Sequence, residues 1–224
     1  MSIGRFNEAH WQLICQVVEQ KIISADENTR TKWLRNQLLL HLGFNLGLRL
    51  HELANAKLTD LYTVQRQGQT QHWLTVIGKG QKQRQVPIPL TTYLLLVETY
   101  LKLTGRSIHR LGLEYPLIPP LRGSDKQPLT PLAIHKALKE CFAYVAEVLA
   151  DTHPDVAQKL DQASAHWLRH SHGSAAAERN IPLAMIRDNL GHSSIATTSC
   201  YLHTDQDARH EAFANGFAGT IKPV

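Results

Sequence analysis

Ser164-Ala165-His166-Trp167-Leu168-Arg169-His170-Ser171-His172-Gly173-Ser174-Ala175-Ala176-Ala177-Glu178 is the stretch on which the fold turns. Alanine and leucine favour helix, and Ser164 is a good capping residue, so the pattern predicts a helix over 165–178. His166, Arg169 and His170 stand at i, i+3 and i+4, which puts all three on one helix face where a single ligand could meet them. A guanidinium is a planar fork of donors matched to phosphate oxygens, and an imidazole can donate to another oxygen or move a proton, so this face suits a phosphodiester. The bland alternative is a solvated or core-satisfying polar face. Zinc is a third reading, because His166 and His170 have the spacing of a zinc helix, but the segment lacks the Glu of HExxH and carries an Arg that would repel the cation. No metal is expected.

Working outward, Ile181-Pro182 restarts a short helix that Asn189-Leu190-Gly191 ends, with Gly191 suited to a left-handed cap. Ser193 and Ser194 open a segment through Tyr201, in which Cys200 is expected to be a packed thiol, and 205–213 is expected to form a last short helix before a loose tail. Upstream, Thr130-Pro131 starts a helix running to about 150, with 152–163 as a polar joint behind it and 105–127 as a long connection ahead of it. Thr91 or Thr92 is expected to cap a helix reaching about 103. Between 58 and 89 the period becomes that of strands, 58–64, 72–77 and 84–88, separated by Gly-containing turns. Near the start Trp11, Ile14, Cys15 and Val18 recur at helical spacing, a polar turn occupies 25–28, and 31–44 is apolar all round, as befits a core helix. The fold class is therefore α+β, mainly α-helical, with a small antiparallel three-stranded sheet.

With 224 residues, 43% of them hydrophobic, the chain can bury a core without disulfides, which excludes general disorder. Its three cysteines (Cys15, Cys141, Cys200) lack CxxC spacing and fit reduced thiols. The opening residues MSIGRFNEAH do not read as a charged leader followed by an apolar segment, and the greasiest stretch, 38–50, is broken by His41 and Asn45, so neither secretion nor a membrane span is expected and the expected location is the cytoplasm. The +5 formal charge favours anionic partners such as nucleic acid, and the 13 histidines offer proton carriers and phosphate donors.

Two further groups carry candidate chemistry. The hairpin Ile77-Gly78-Lys79-Gly80-Gln81-Lys82-Gln83-Arg84 points cations from a Gly-rich tip, which is either simply solvated or able to enter a DNA groove and deliver an ammonium proton. Arg49 leaves a core segment and needs a partner, either Glu52 or a bound phosphate.

In order, GLRLHEL (47–53), VIGKGQKQRQVPIP (76–89), HWLRHSHGSA (166–175) and LGHSSIATTSCY (190–201) resemble the catalytic domain of the tyrosine recombinases, the integrase and site-specific recombinase family. The resemblance runs from about residue 8 to 207 and implies that family's catalytic-domain fold, a single domain over 1–224 with a tail from 208. It implies Arg49, Lys79, His166, Arg169, His192 and Tyr201 as catalytic residues, Glu52 as a supporting acid, and Lys82, Arg84 and His170 as DNA contacts. Lys82 is also the reserve for Lys79. Tyr201 would attack the scissile phosphate with His166 as its base, the two arginines would clamp the phosphate, Lys79 would protonate the leaving 5′ oxygen, and His192 would add a hydrogen bond. A 3′-phosphotyrosine preserves the bond energy, so no cofactor is expected. The implied partner is double-stranded DNA, bound by a homotetramer on two paired sites, with the segment after Tyr201 contacting a neighbour and the chain monomeric in free solution.

Two departures stand out. His172 and Gly173 follow Ser171 where many members place an aromatic, which should alter packing more than chemistry. The separate N-terminal DNA-clasping domain of most members is expected to be absent, as in shorter members similar to the fimbrial phase-switching invertases, a trimmed chain being the other reading. Two rival functions stay open: a type IB topoisomerase-like enzyme, which would not require two sites to pair, and a DNA-binding accessory protein or regulator with a dormant site, which would need no nucleophile.

Overall fold

The computed structural model of the chain describes residues 4–106 and 114–201, the side chain of Lys79 excepted. The expected helix over 205–213 and the tail fall outside the described residues.

Helix α1 (Glu8–Ser24) starts where the Asn7 side chain accepts from the His10 amide, and it buries Trp11, Ile14 and Val18. Asp26 then caps α2 (Glu27–Leu46) by accepting from the Thr29 amide at 2.9 Å, so this helix begins four residues before the apolar run that marks it in sequence. Helix α2 is the axis of the molecule, with Leu38, Leu39, Leu40 and Leu42 all buried, so the apolar positions of its C-terminal half face several directions at once. It ends at Gly47, whose φ of 67° is the left-handed conformation that glycine adopts without steric cost. A short helix α3 (Leu50–Asn55) follows.

Strands β1 (Leu61–Arg66), β2 (Gln69–Ile77) and β3 (Gln83–Ile88) form an antiparallel sheet in the order β1-β2-β3, with Leu61 opposite Leu74 and Val76 opposite Arg84. Gln67 and Gly68, at φ 51° and 75°, make the two-residue turn that joins β1 to β2. Residues expected to begin β1 form instead a helical turn (Leu58–Asp60), where the Asp60 carboxylate accepts from the Lys57 amide. Helix α4 (Leu90–Leu94) starts from Pro89 rather than from a threonine cap and continues as a wider π-helical stretch (Leu95–Leu101). Thr92 lies inside α4 and accepts from the Asn45 side chain at 2.8 Å.

Helix α5 (Pro131–Leu149) has the expected Thr130 cap, whose hydroxyl accepts from the Ala133 amide. The expected polar joint is a helix, α6 (Pro154–Gln162), packed on α5. Its buried residues are Val156 and Leu160, four apart, and that spacing suffices for one face. Helix α7 (Ala165–Glu178) has the expected limits, although Ser164 at its start makes no side-chain capping bond. A Cβ on Gly43 of α2 would lie 2.8 Å from Leu168 Cδ1, so the glycine lets α7 settle against α2. Helices α8 (Leu183–Leu190) and α9 (Ile195–Thr198) lead into a helical turn (Ser199–Tyr201), the last of the described residues.

One large apolar core joins α1, α2, the sheet, α5 and the inner face of α7, and a second, small cluster contains Ala176, Ile186, Leu190 and Tyr201. Among the described residues no helix is long and apolar enough to cross a membrane.

Candidate active site

Helices α2 and α8 end beside each other, both in a left-handed glycine: Gly47, and Gly191 at φ 62°. The last carbonyls of a helix lack intrahelical partners and carry the negative end of its dipole. Here side chains satisfy them. Arg169 donates to Gly47 O at 2.6 Å and to Leu190 O at 2.5 Å. Arg84 Nε donates to Asn189 O at 2.7 Å, His172 Nδ1 donates to Phe44 O at 2.9 Å, and Asn189 Nδ2 reaches Leu46 O at 3.3 Å. An arginine only 4% exposed would otherwise be costly to bury. Burial, with Arg49 nearby, lowers the Arg169 pKa to about 10 despite Glu52, and the group stays charged at neutral pH.

Glu52, 3% exposed, joins three parts of the chain. In the first turn of α3 its Oε2 accepts from the Arg49 amide at 2.8 Å and its Oε1 from the Arg49 guanidinium at 3.0 Å. Arg84, from β3, places NH1 on Oε1 at 2.7 Å and NH2 on Oε2 at 2.8 Å, the two-pronged geometry that suits this pair. Burial pushes the carboxyl pKa up, but these donors outweigh it and hold the group at about 2. Arg84 was expected to face DNA from the hairpin tip; the structure instead turns it inward, with Nε and both terminal nitrogens engaged.

Tyr201 is 5% exposed, and its ring lies against Gly173, where a Cβ would stand 2.5 Å from Tyr201 Cζ. The departure at Gly173 is thus a seat for the ring. Burial, with Cys200 adding to it, pushes the phenol up to about 12 against the pull of Arg169 and Arg49. The imidazole touching the phenol is not the expected one: Tyr201 Oη lies 3.2 Å from His170 Nδ1, and His170 Nε2 lies 2.7 Å from His166 Nε2. At that separation the two ring nitrogens are within hydrogen-bond reach of one another. Among the described residues no group of three or more His, Cys, Asp or Glu could hold a metal ion.

His192 Nδ1 meets Thr198 Oγ1 at 2.9 Å, a partner that no motif announces. Burial, then Arg169 and Arg49, lowers His192 to about 4; burial, then His166 and Arg169, lowers His170 to about 4; and His166 is lowered by burial, Arg169 and Arg49. All three are neutral near pH 7. Cys200 was expected to be packed but is exposed, its thiol on Thr197 O at 3.2 Å.

Two adjoining clefts open here. One, of about 580 Å³, is lined by Arg49, His166, Arg169, His170, His192 and Tyr201 among others. The other, of about 790 Å³, shares Arg49, His192 and Thr197 with it and adds Lys82, Arg84, Arg187 and Ser193. The structure thus gathers every expected site residue except Lys79, whose backbone lies in the β2–β3 turn and whose side chain lies outside the described residues.

The model of the phage integrase family matches residues 14–208. The chain belongs to this family. Similar proteins include the tyrosine recombinase of Thermosipho africanus, 27% identical over 180 residues, which are 80% of this chain and 53% of the relative. Tyrosine recombinase XerA of Pyrococcus furiosus is 30% identical over 178 residues, 79% of this chain and 52% of the relative. The chain therefore spans about half the length of these curated relatives. Among solved structures, XerH site-specific recombinase bound to its difH substrate covers 95% of this chain and 54% of its own at TM-score 0.67 and 20% identity. XerA recombinase covers 96% and 64% at TM-score 0.59 and 19% identity. Those likenesses establish the tyrosine recombinase catalytic-domain fold.

Proposed function

We propose that this chain is the catalytic domain of a site-specific DNA recombinase that cuts and rejoins duplex DNA through a 3′-phosphotyrosine. The observation carrying this reading is the convergence of Arg49, Arg169, His166, His170, His192 and the Tyr201 hydroxyl on one cleft of a phage integrase family chain. The curated relatives bear the name tyrosine recombinase, and XerH was solved on DNA, which supports duplex DNA as the partner.

In the proposed reaction Arg49 and Arg169 hold the non-bridging oxygens of the scissile phosphate. Arg169 is pre-positioned by two carbonyls, so little reorganisation is needed as charge builds on phosphorus. Tyr201 Oη attacks, its proton passing to the imidazoles of α7. The leaving 5′ oxygen takes a proton from Lys79 at the hairpin tip, and His192, oriented by Thr198, donates to the phosphate. Attack by a 5′ hydroxyl on the phosphotyrosine reverses these steps and joins the strand. Lys82 lies on the approach to the site and suits the DNA backbone. The reading includes a single domain, with exchange by a homotetramer on paired sites.

The test is incubation of the chain with a pool of nicked suicide duplexes prepared from the source organism's DNA, followed by denaturing electrophoresis. A covalent protein–DNA adduct is expected from wild type and none from Tyr201→Phe. Tight binding without any adduct would defeat the proposal, and an adduct that persists in Tyr201→Phe would move the nucleophile elsewhere, first to Cys200.

A further inference from the structure

We infer that His170, not His166, is the group that takes the Tyr201 proton, and that it does so by relaying charge to His166. The inference rests on the proposed function and deepens it.

Three contacts carry it. The Tyr201 hydroxyl lies 3.2 Å from His170 Nδ1, the far nitrogen of that ring lies 2.7 Å from His166 Nε2, and the two rings stand at 90° to one another. Two ring nitrogens at hydrogen-bond distance share one proton, so one donates and the other accepts. When His170 Nε2 holds that proton, His170 Nδ1 is a bare lone pair facing the hydroxyl. The chain of donors then runs in one direction, from Tyr201 O–H to His170 Nδ1 and from His170 Nε2–H to His166 Nε2.

The transfer balances. The Tyr201 O–H and His170 Nε2–H bonds break, and His170 Nδ1–H and His166 Nε2–H bonds form. Tyr201 becomes a phenolate, His170 ends neutral in its other tautomer, and His166 becomes the imidazolium. The positive charge therefore finishes one ring away from the attacking oxygen. His166 is held neutral by burial and by Arg169 and Arg49, the two groups assigned to the phosphate. An arriving phosphate offsets those two charges, so substrate binding itself makes His166 a better acceptor. Rejoining runs the same chain backwards and returns the proton to the phenol.

The experiment measures the rate of adduct formation on the nicked duplex pool. His170→Asn retains an oxygen acceptor near the Nδ1 position but carries no proton through the side chain. At saturating DNA it is expected to slow adduct formation by about 100-fold or more. Fluorinated tyrosines incorporated at position 201, whose phenols are more acidic, are expected to recover much of that rate in His170→Asn. His170→Gln serves as the second variant should His170→Asn fold poorly. A rate in His170→Asn within two-fold of wild type would overturn the relay, as would a slow variant indifferent to phenol acidity, which would leave His170 a packing role only. Absence of an adduct from wild type would instead defeat the proposed function, taking the relay with it.

Discussion

The large core around α2 and the small cluster beneath Tyr201 hold their parts of the molecule by different means. The first consists of interlocked leucines and aromatics, such as Trp11 stacked on Phe44 with ring centroids 4.0 Å apart. The second has Ala176, Ile186, Leu190 and Tyr201 for its buried side chains, and α8 is tied down largely by polar links from Arg84, Arg169 and Asn189 to helix-end carbonyls. Apolar burial is non-directional and scales with area, whereas hydrogen bonds to carbonyls fix angles and distances. Stability thus resides in one region and geometry in the other, and the segment that ends in Tyr201 belongs to the part with the smaller apolar contribution.

That contrast can be broken from either side. Leu168→Ala empties a fully buried position where α7 meets α2 and is expected to cost about 2–5 kcal/mol in chemical denaturation. Gly173→Ala acts on the other region. Its methyl group would displace the Tyr201 ring, so adduct formation should fall by about 100-fold, while the denaturation midpoint moves less than in Leu168→Ala.

The polar links also make a pH prediction. Burial lowers His41 and His172 to about 4 each, whereas an unfolded imidazole titrates near 6.5. Between those values the unfolded chain binds more protons, so their contribution to stability is complete above about 6.5 and is lost as the pH falls towards 4. Thermal melting should occur at lower temperature at pH 5 than at pH 7, and His172→Gln should flatten that dependence. The same slope in His172→Gln as in wild type would contradict a neutral, buried imidazole at this position.

The smallest effect separates two helix starts. Thr130→Ala removes an observed capping bond and should cost about 1 kcal/mol, while Ser164→Ala, at a start without such a bond, should cost a few tenths. Urea denaturation of the two variants side by side checks the difference.

Much of the fold was legible in the residues because periodicity and caps report local conformation. Helix α7 has the limits its helix formers imply, and the left-handed Gly191 ends α8 as expected. Helix α6 was hidden because polar residues surround Val156 and Leu160, and only the presence of α5 gives those two something to cover. In the site, ordered motifs named the residues but not their pairings. Glu52 and Arg84 are 32 positions apart, and nothing local says that the hairpin arginine turns inward. His166 and His170 share a face, so which of them meets Tyr201 depends on where the Ser199–Tyr201 turn sets the phenol, a tertiary fact.

Glu52 finally sets an electrical sum. It lies against the guanidinium groups of Arg49 and Arg84, with Arg169 close by, so three positive charges are offset by one negative, leaving two. A phosphodiester carries one negative charge, and the pentacoordinate phosphorus reached after phenolate attack carries two. Positive charge beyond what the resting diester needs gains most at the top of the barrier, where the second negative charge has formed. In the proposed reaction the buried acid therefore tempers the grip of the arginines, so that strands can be released as well as seized.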